Sequence, residues 1–491
     1  MGQNVVHIAC IARPARSCKV VVGLPLVYCF ISLYTGTMRF TGLFSSAALC
    51  ATVLAIGQES TINFNGTGLR LAEGGSSVQL YADGHDWPGV LRVVDDLALD
   101  FERVTGTRGT VSLLGNGTSP SLNASTTFNV TGKTGFGHSS PDGYGRKGGV
   151  IIAGTIGNSS IIDRLVKEGK LDVSEVEGNW EAYVSTVVEN PMQGVSRAVV
   201  IAGKSIKAPL NLFLICTTTN SSIGADKRGT IYGLYSVSEQ IGVSPWYFWA
   251  DSAPQKHSSI YAQARTVVQK SPSVKYRGIF INDEAPGLTG YIMAKFPDSP
   301  YGPGYNAEFY ATVFELLLRL RANYLWPAMW NSMFNVDDPR NQPLADEYGI
   351  VMGTSHTEPM MRATKEWSEF GNGTWSWETN NETIYPFFVE GAERSAPYES
   401  VVTMGMRGYH DTPIGPTNDI ALLEAIVEAQ GEILANIWGA EAASDPDKVP
   451  QMWCLYKEVQ GYIDAGMEIP EHITLMWADD NYGNMRRLPR G

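Results

Sequence analysis

Cysteine is scarce and badly placed for a disulfide framework. Of six cysteines in 491 residues, Cys10, Cys18, Cys29 and Cys50 fall in the first fifty positions, leaving Cys216 and Cys454 either to pair or to stay as buried thiols. Positive charge is also short, with 37 Lys and Arg against 50 Asp and Glu and a net charge of −13. This balance argues against a nucleic-acid or anionic-membrane partner, and leaves an anionic small ligand only where Arg and His gather locally. Histidine is rare. His356 and Glu358 are close, but no second histidine stands at ligand spacing, so no metal or other cofactor is expected. Long apolar runs are missing too: Val20 to Tyr34 is short for a membrane span and contains Pro25. There is no G-x-S-x-G to support serine-triad chemistry. GVIIAGTIG lacks the G-x-G-x-x-G spacing, so it reads as a buried strand ending in a tight turn.

The N-terminal stretch reads as a leader over 1–57. Met38-Arg39 is followed by LFSSAALCATVLAIG and then polar QES, with Ala55 and Gly57 at signal-cleavage spacing. The start is expected at Met38, the preceding 37 residues being an over-extended start or an anchor. Eight N-x-S/T sequons follow, from Asn65 to Asn381. Together they predict a secreted, extracellular glycoprotein.

From 58 to 255 strand and helix patterns alternate. VQLYA reads as a strand and WPGVLRVVDDLALDFERVTG as an amphipathic helix with Val90, Val93, Leu97 and Phe101 on one face. AVVIAGK reads as a further strand, and KRGTIYGLYSVSEQIGV as a helix. This predicts a small N-terminal α/β domain, with SPWYFWADSAPQ at its junction. From 256 to 491 short apolar strands each end in polar clusters: YRGIFIND, ANYLWPAMWN, YGIVMGTSHTEP, SVVTMGMRGYHD and ITLMWADDNYG. Helical stripes at Phe309–Leu320 and Ile420–Leu434 lie between them. Five β/α units with chemistry at the strand ends predict an incomplete (β/α)8 TIM-type barrel, with a doubly wound open sheet as the competing architecture.

Those strand ends gather Asn282, Asp283, Trp330, His356, Glu358, Arg407, Asp411, Asp479 and Asn481 at one mouth. Carboxylates for acid and base work, Asn and Arg for hydroxyls and carboxylates, and aromatic faces for pyranose rings suit a sugar site. Any single Asp here could equally cap the next helix; the agreement of five strand ends is the signal.

FINDE, LWPAMW, GTSHTEPM, MGMRGYHD, LYKEVQGY and WADDNYGNMRRLP resemble the motifs of glycoside hydrolase family 115, the xylan α-1,2-glucuronidases, from about residue 75 to the last residue. The resemblance implies an inverting hydrolase that removes glucuronic acid or its 4-O-methyl ether from glucuronoxylan or its oligosaccharides. It implies Glu458 as general acid, Asp411 or Asp283 as base and Asp479 as a supporting carboxylate. Asn282, Trp330, His356, Arg407 and Asn481 would bind substrate, with Arg407 and His356 on the uronate carboxylate. Glu458 lies in PQMWCLYKEVQGYI, which reads as helical, so only the resemblance selects it. MRGYHD departs from the family's more usual MRGDGD while keeping Asp411. Family members continue for several hundred residues, complete the barrel and form homodimers, so this chain is expected to be a C-terminally truncated form. The alternatives are an inactive fragment that at most binds acidic xylan, or another uronic-acid glycosidase on the same barrel.

Overall fold

The computed structural model describes residues 7–8, 60–115, 147–204, 227–415 and 419–479. The expected leader, with its start and cleavage site, lies outside the described residues apart from His7–Ile8. Cys216 also lies outside them, and Cys454 is buried.

The N-terminal part is built on a six-stranded sheet. Its spatial order is Val267–Gln269, Tyr183–Met192, Val195–Lys204, Lys147–Ile156, Ser77–Asp83 and Thr110–Leu114. The last four strands run parallel, while Tyr183–Met192 forms an antiparallel pair with Val195–Lys204. Alternation sends Ile151, Ala153, Val199 and Ile201 into one core, and Ile152, Val200 and Ala202 into another. Helices Pro88–Thr105 and Arg228–Gln240 cover the first face, and Ser160–Lys167 the second. The 88–105 helix opens with proline at its first turn, where no N–H partner is lost, and closes on Gly106 at φ 82°. A second, three-stranded sheet places Ser259–Ala262 between Ile62–Asn63 and Leu69–Glu73, so the chain through Gln269 is tied into the N-terminal sheets.

Beyond it the described residues hold six successive parallel strands, one more than the sequence suggested. Gly278–Phe280, Tyr324–Trp326 and Val351–Met352 form one ladder, with His7–Ile8 antiparallel on its outer side. Val402–Thr403, Gln451–Leu455 and Ile473–Trp477 form the other. The ladders meet at one isolated bridge, Met352 to Ser400. The additional strand corrects the helical reading of PQMWCLYKEVQGYI: Gln451–Leu455 is extended and wholly buried, and the helix begins only at Glu458. A short apolar run buried on both sides carries no alternation to distinguish strand from helix. Closure into an eight-stranded barrel is not seen among the described residues; the molecule is a mixed α/β protein with several sheets.

The core is continuous across the two parts. Phe309, Tyr310, Phe314 and Leu317 of helix Ala307–Arg319 pack in the same cluster as Leu97, Ile231 and Leu234. Buried charge crosses the same seam. Glu181 accepts from Arg228 Nε at 2.7 Å, Asn323 Nδ2 at 2.6 Å and Arg277 Nη2 at 2.5 Å. Arg319 reaches Asp100 at 2.8 Å.

Candidate active site

Parallel strands deliver their following loops to one end of a sheet, and the candidate groups lie in those loops. His356 follows Val351–Met352. Arg407 and Asp411 follow Val402–Thr403, and Glu458 follows Gln451–Leu455. The exit of the fourth strand is fixed by Gly405. Its φ is 84°, and a Cβ there would run into the Trp453 indole, so glycine alone fits the turn. The buried Gln430 amide brackets it, accepting from Gly405 N–H and donating to Gly405 C=O, both at 2.8 Å. Two residues on, Arg407 is almost fully enclosed, and the Trp375 indole donates to its carbonyl at 2.9 Å.

The Arg407 guanidinium forms a fork with Glu458: Nε donates to Oε1 at 2.9 Å and Nη2 to Oε2 at 2.8 Å. Its remaining nitrogen, Nη1, pairs with Asp411 Oδ1. Asp411 also meets His356 Nε2 at 2.9 Å and Lys457 Nζ at 2.6 Å. Burial, with Arg407 and Lys457 nearby, pushes the His356 pKa down to about 3, so the ring is neutral and offers Nε2–H to the carboxylate. The Tyr456 ring stands edge-on to His356, with centroids 4.7 Å apart. His410, Asp411 and Lys457 all have positive φ, at 54°, 63° and 52°. Such strain in non-glycine residues gathers where a site over-determines the backbone.

His356, Arg407, Asp411 and Glu458 are therefore brought together, Glu458 being the one that only the family resemblance had singled out. Lys457, which the sequence reading passed over, joins them; its only signal was adjacency to Glu458 in YKEVQ. Asp283 is elsewhere. It is fully buried, and its carboxylate accepts the backbone N–H groups of Met329 at 2.8 Å, Trp330 at 2.9 Å and Asn331 at 2.9 Å. Three amide donors occupy it and shape the loop carrying Trp330. Asn282 and Trp330 are half-buried, and neither hydrogen-bonds to the cluster among the described residues. Asp479 is half-buried two residues past the sixth strand, next to Ala478, whose carbonyl accepts from Gln460 in the helix that begins with Glu458. Asn481 lies outside the described residues.

Glu358 is a second buried carboxyl in the His356 loop. Ser355 donates to Oε2 through N–H at 3.1 Å and Oγ at 2.9 Å, and Thr364 N–H to Oε1 at 3.3 Å. Burial without a basic partner raises its pKa to about 8. No three His, Cys, Asp or Glu side chains converge as a metal site among the described residues.

Carboxylates, a forked guanidinium and a neutral imidazole at the ends of parallel strands are chemically suited to a glycoside hydrolase. Residues 269–491 match the model of Glycosyl hydrolase family 115, and this portion of the chain belongs to that family. A solved structure described as a family GH115 4-O-methyl-alpha-glucuronidase, BtGH115A, with specificity for decorated arabinogalactans, is 30% identical, with a TM-score of 0.66. The match covers 86% of this chain and 47% of that one, so the chain spans about half the length of this relative. CpGH84D (11% identity, TM-score 0.35, 86% of this chain and 54% of that one) and the Flavobacterium johnsoniae chitobiase FjGH20 (11%, 0.37, 83% and 53%) are more distant. No curated protein matches the chain.

Proposed function

We propose that this is a secreted α-glucuronidase that removes glucuronic acid, or its 4-O-methyl ether, α-1,2-linked to xylan, with inversion at the anomeric carbon. The observation that carries the reading is the fork between Arg407 and Glu458, with Asp411 on the third guanidinium nitrogen. It gathers the two carboxyl groups that glycoside hydrolysis requires; because both Glu458 oxygens accept from the guanidinium, Glu458 would leave one bond of the fork when it carries the acid's proton. Inversion needs one carboxyl to protonate the leaving oxygen while the other activates water, across a gap of about 6.5–9.5 Å. Glu458 is the proposed acid. Asp411 is favoured as base over Asp283, because three backbone amides enclose Asp283. Asp479 is the supporting carboxylate, and Asn282, Trp330 and Asn481 the sugar-binding groups. The six parallel strands are read as part of a (β/α)8 barrel occupying 256–491, behind an α/β domain at 58–255, with a homodimer in the longer form.

A second substrate is favoured by the likeness to BtGH115A: uronic acid on decorated arabinogalactan. The test incubates the protein separately with 4-O-methylglucuronoxylan and with uronate-decorated arabinogalactan. Chromatography then measures the free uronic acid and NMR its first-formed anomer. Release from xylan as the β anomer is expected. Release only from arabinogalactan moves the substrate assignment, the α anomer removes inversion, and no release from either polymer overturns the glucuronidase reading.

A further inference from the structure

The family resemblance implies Arg407 and His356 for the uronate carboxylate, and the folded site leaves neither available for it. The Arg407 side chain is 3% exposed; Nε and Nη2 are spent on Glu458, and Nη1 faces Asp411. His356 is neutral, and its Nε2 is turned to Asp411. The cluster's two carboxylates are thus balanced by Arg407 and Lys457, and a bound uronate adds a third negative charge. Lys457 alone in the cluster is open to meet it. Its side chain is 43% exposed, and Asp411 Oδ2, at 2.6 Å, takes one of the ammonium's three donors. Its Nζ lies 5.1 Å from the Tyr456 ring centre, which gives one side of its surroundings an apolar wall. Backbone geometry points the same way. Lys457 sits at φ 52° and ψ −124°, outside the regions open to an L residue at low cost, and such outliers recur at ligand clamps.

We propose that Lys457 is the specificity residue for the substrate's carboxylate, donating to it from the ammonium while remaining anchored on Asp411. This rests on the glucuronidase reading. A lysine suits the task because its three donors rotate about a point charge, so one ammonium can bridge two carboxylates.

The test titrates the 491-residue protein, as wild type, Lys457→Met and Lys457→Arg, with methyl α-glucuronoside and with its methyl ester, by calorimetry. Methionine keeps the unbranched stem and removes the charge. The wild type and Lys457→Arg are expected to bind the free acid at least about tenfold more tightly than the ester, about 1.4 kcal/mol or more. Lys457→Met is expected to bind the two alike. Circular dichroism and the thermal midpoint check that the variants fold. Were Lys457 only to hold Asp411, Lys457→Met would weaken both ligands equally and keep the preference, which overturns the proposal. Equal binding of acid and ester by the wild type, or binding of neither, overturns it as well. The two readings fail separately. Acid preference lost in Lys457→Met with no turnover removes the activity alone. Turnover with the preference intact in Lys457→Met removes the lysine assignment alone.

Discussion

Arg407 and Glu458, 51 positions apart, face each other through two near-parallel hydrogen bonds of 2.9 and 2.8 Å. A lysine ammonium cannot reproduce that fork. Arg407→Lys is expected to keep the fold and lower uronate release at least about 100-fold, as expected when a positioning clamp is lost. Arg407→Ala strands two partly buried carboxylates, and a stability loss of about 3 kcal/mol is expected. Urea unfolding of both variants beside the release assay separates the two effects.

His356 gives the acid limb of stability a definite sign. The unfolded chain takes up this proton near 6.5 and the folded site only near 3. The contribution is therefore complete above about 6.5 and is lost as pH falls toward 3. NMR of the ring Cε1–H is expected to show no titration between pH 7 and 4. His356→Gln, which still carries an N–H for Asp411, is expected to flatten the acid slope of the thermal midpoint.

Glu358 acts on the opposite limb. Its folded pKa of about 8 stands above the ordinary 4.5. Its contribution is complete below about 4.5 and is lost as pH rises through 8. Glu358→Gln carries no charge at any pH, so its midpoint is expected to decline less than wild type between pH 5 and 9. A parallel decline in both proteins would show that the carboxyl does not govern this limb.

Glu181 joins the N-terminal sheet to the first parallel ladder, holding Arg228, Arg277 and Asn323 while only 1% exposed. Glu181→Ala leaves two guanidinium groups facing a void, and a loss of about 3–5 kcal/mol is expected. Urea unfolding followed separately by near-UV dichroism and tryptophan fluorescence checks it. A change within about 0.5 kcal/mol would show that the seam does not depend on this carboxylate.

The parts of this architecture written in local pattern were legible from sequence. The 3.6-residue stripe gave the helix now seen at Pro88–Thr105, and the apolar runs VQLYA and AVVIAGK fall inside observed strands. Polar clusters after apolar runs found His356, Arg407 and Asp411. Illegible was whatever depends on a distant partner. QMWCL is buried along its whole length, so nothing in its pattern separated strand from helix. Asp283 looked like any other strand-end acid; only folding brings the amides of Met329, Trp330 and Asn331 onto it. Lys457 is marked locally only by its place beside Glu458; its meaning comes from Asp411, 46 positions earlier.

The two parallel ladders meet at the bridge between Met352 and Ser400 and at Thr354, whose carbonyl accepts from Thr403 Oγ1 at 2.6 Å. His356 hangs from the first ladder, whereas Arg407, Asp411, Lys457 and Glu458 hang from the second. The bond from His356 to Asp411 thus spans the joint like a latch across a door and its frame. The fork between Arg407 and Glu458, by contrast, lies wholly within the second ladder's loops. The charged groups are thus carried by one ladder, and the neutral histidine that orients Asp411 is supplied by the other, so the site exists only where the two are joined.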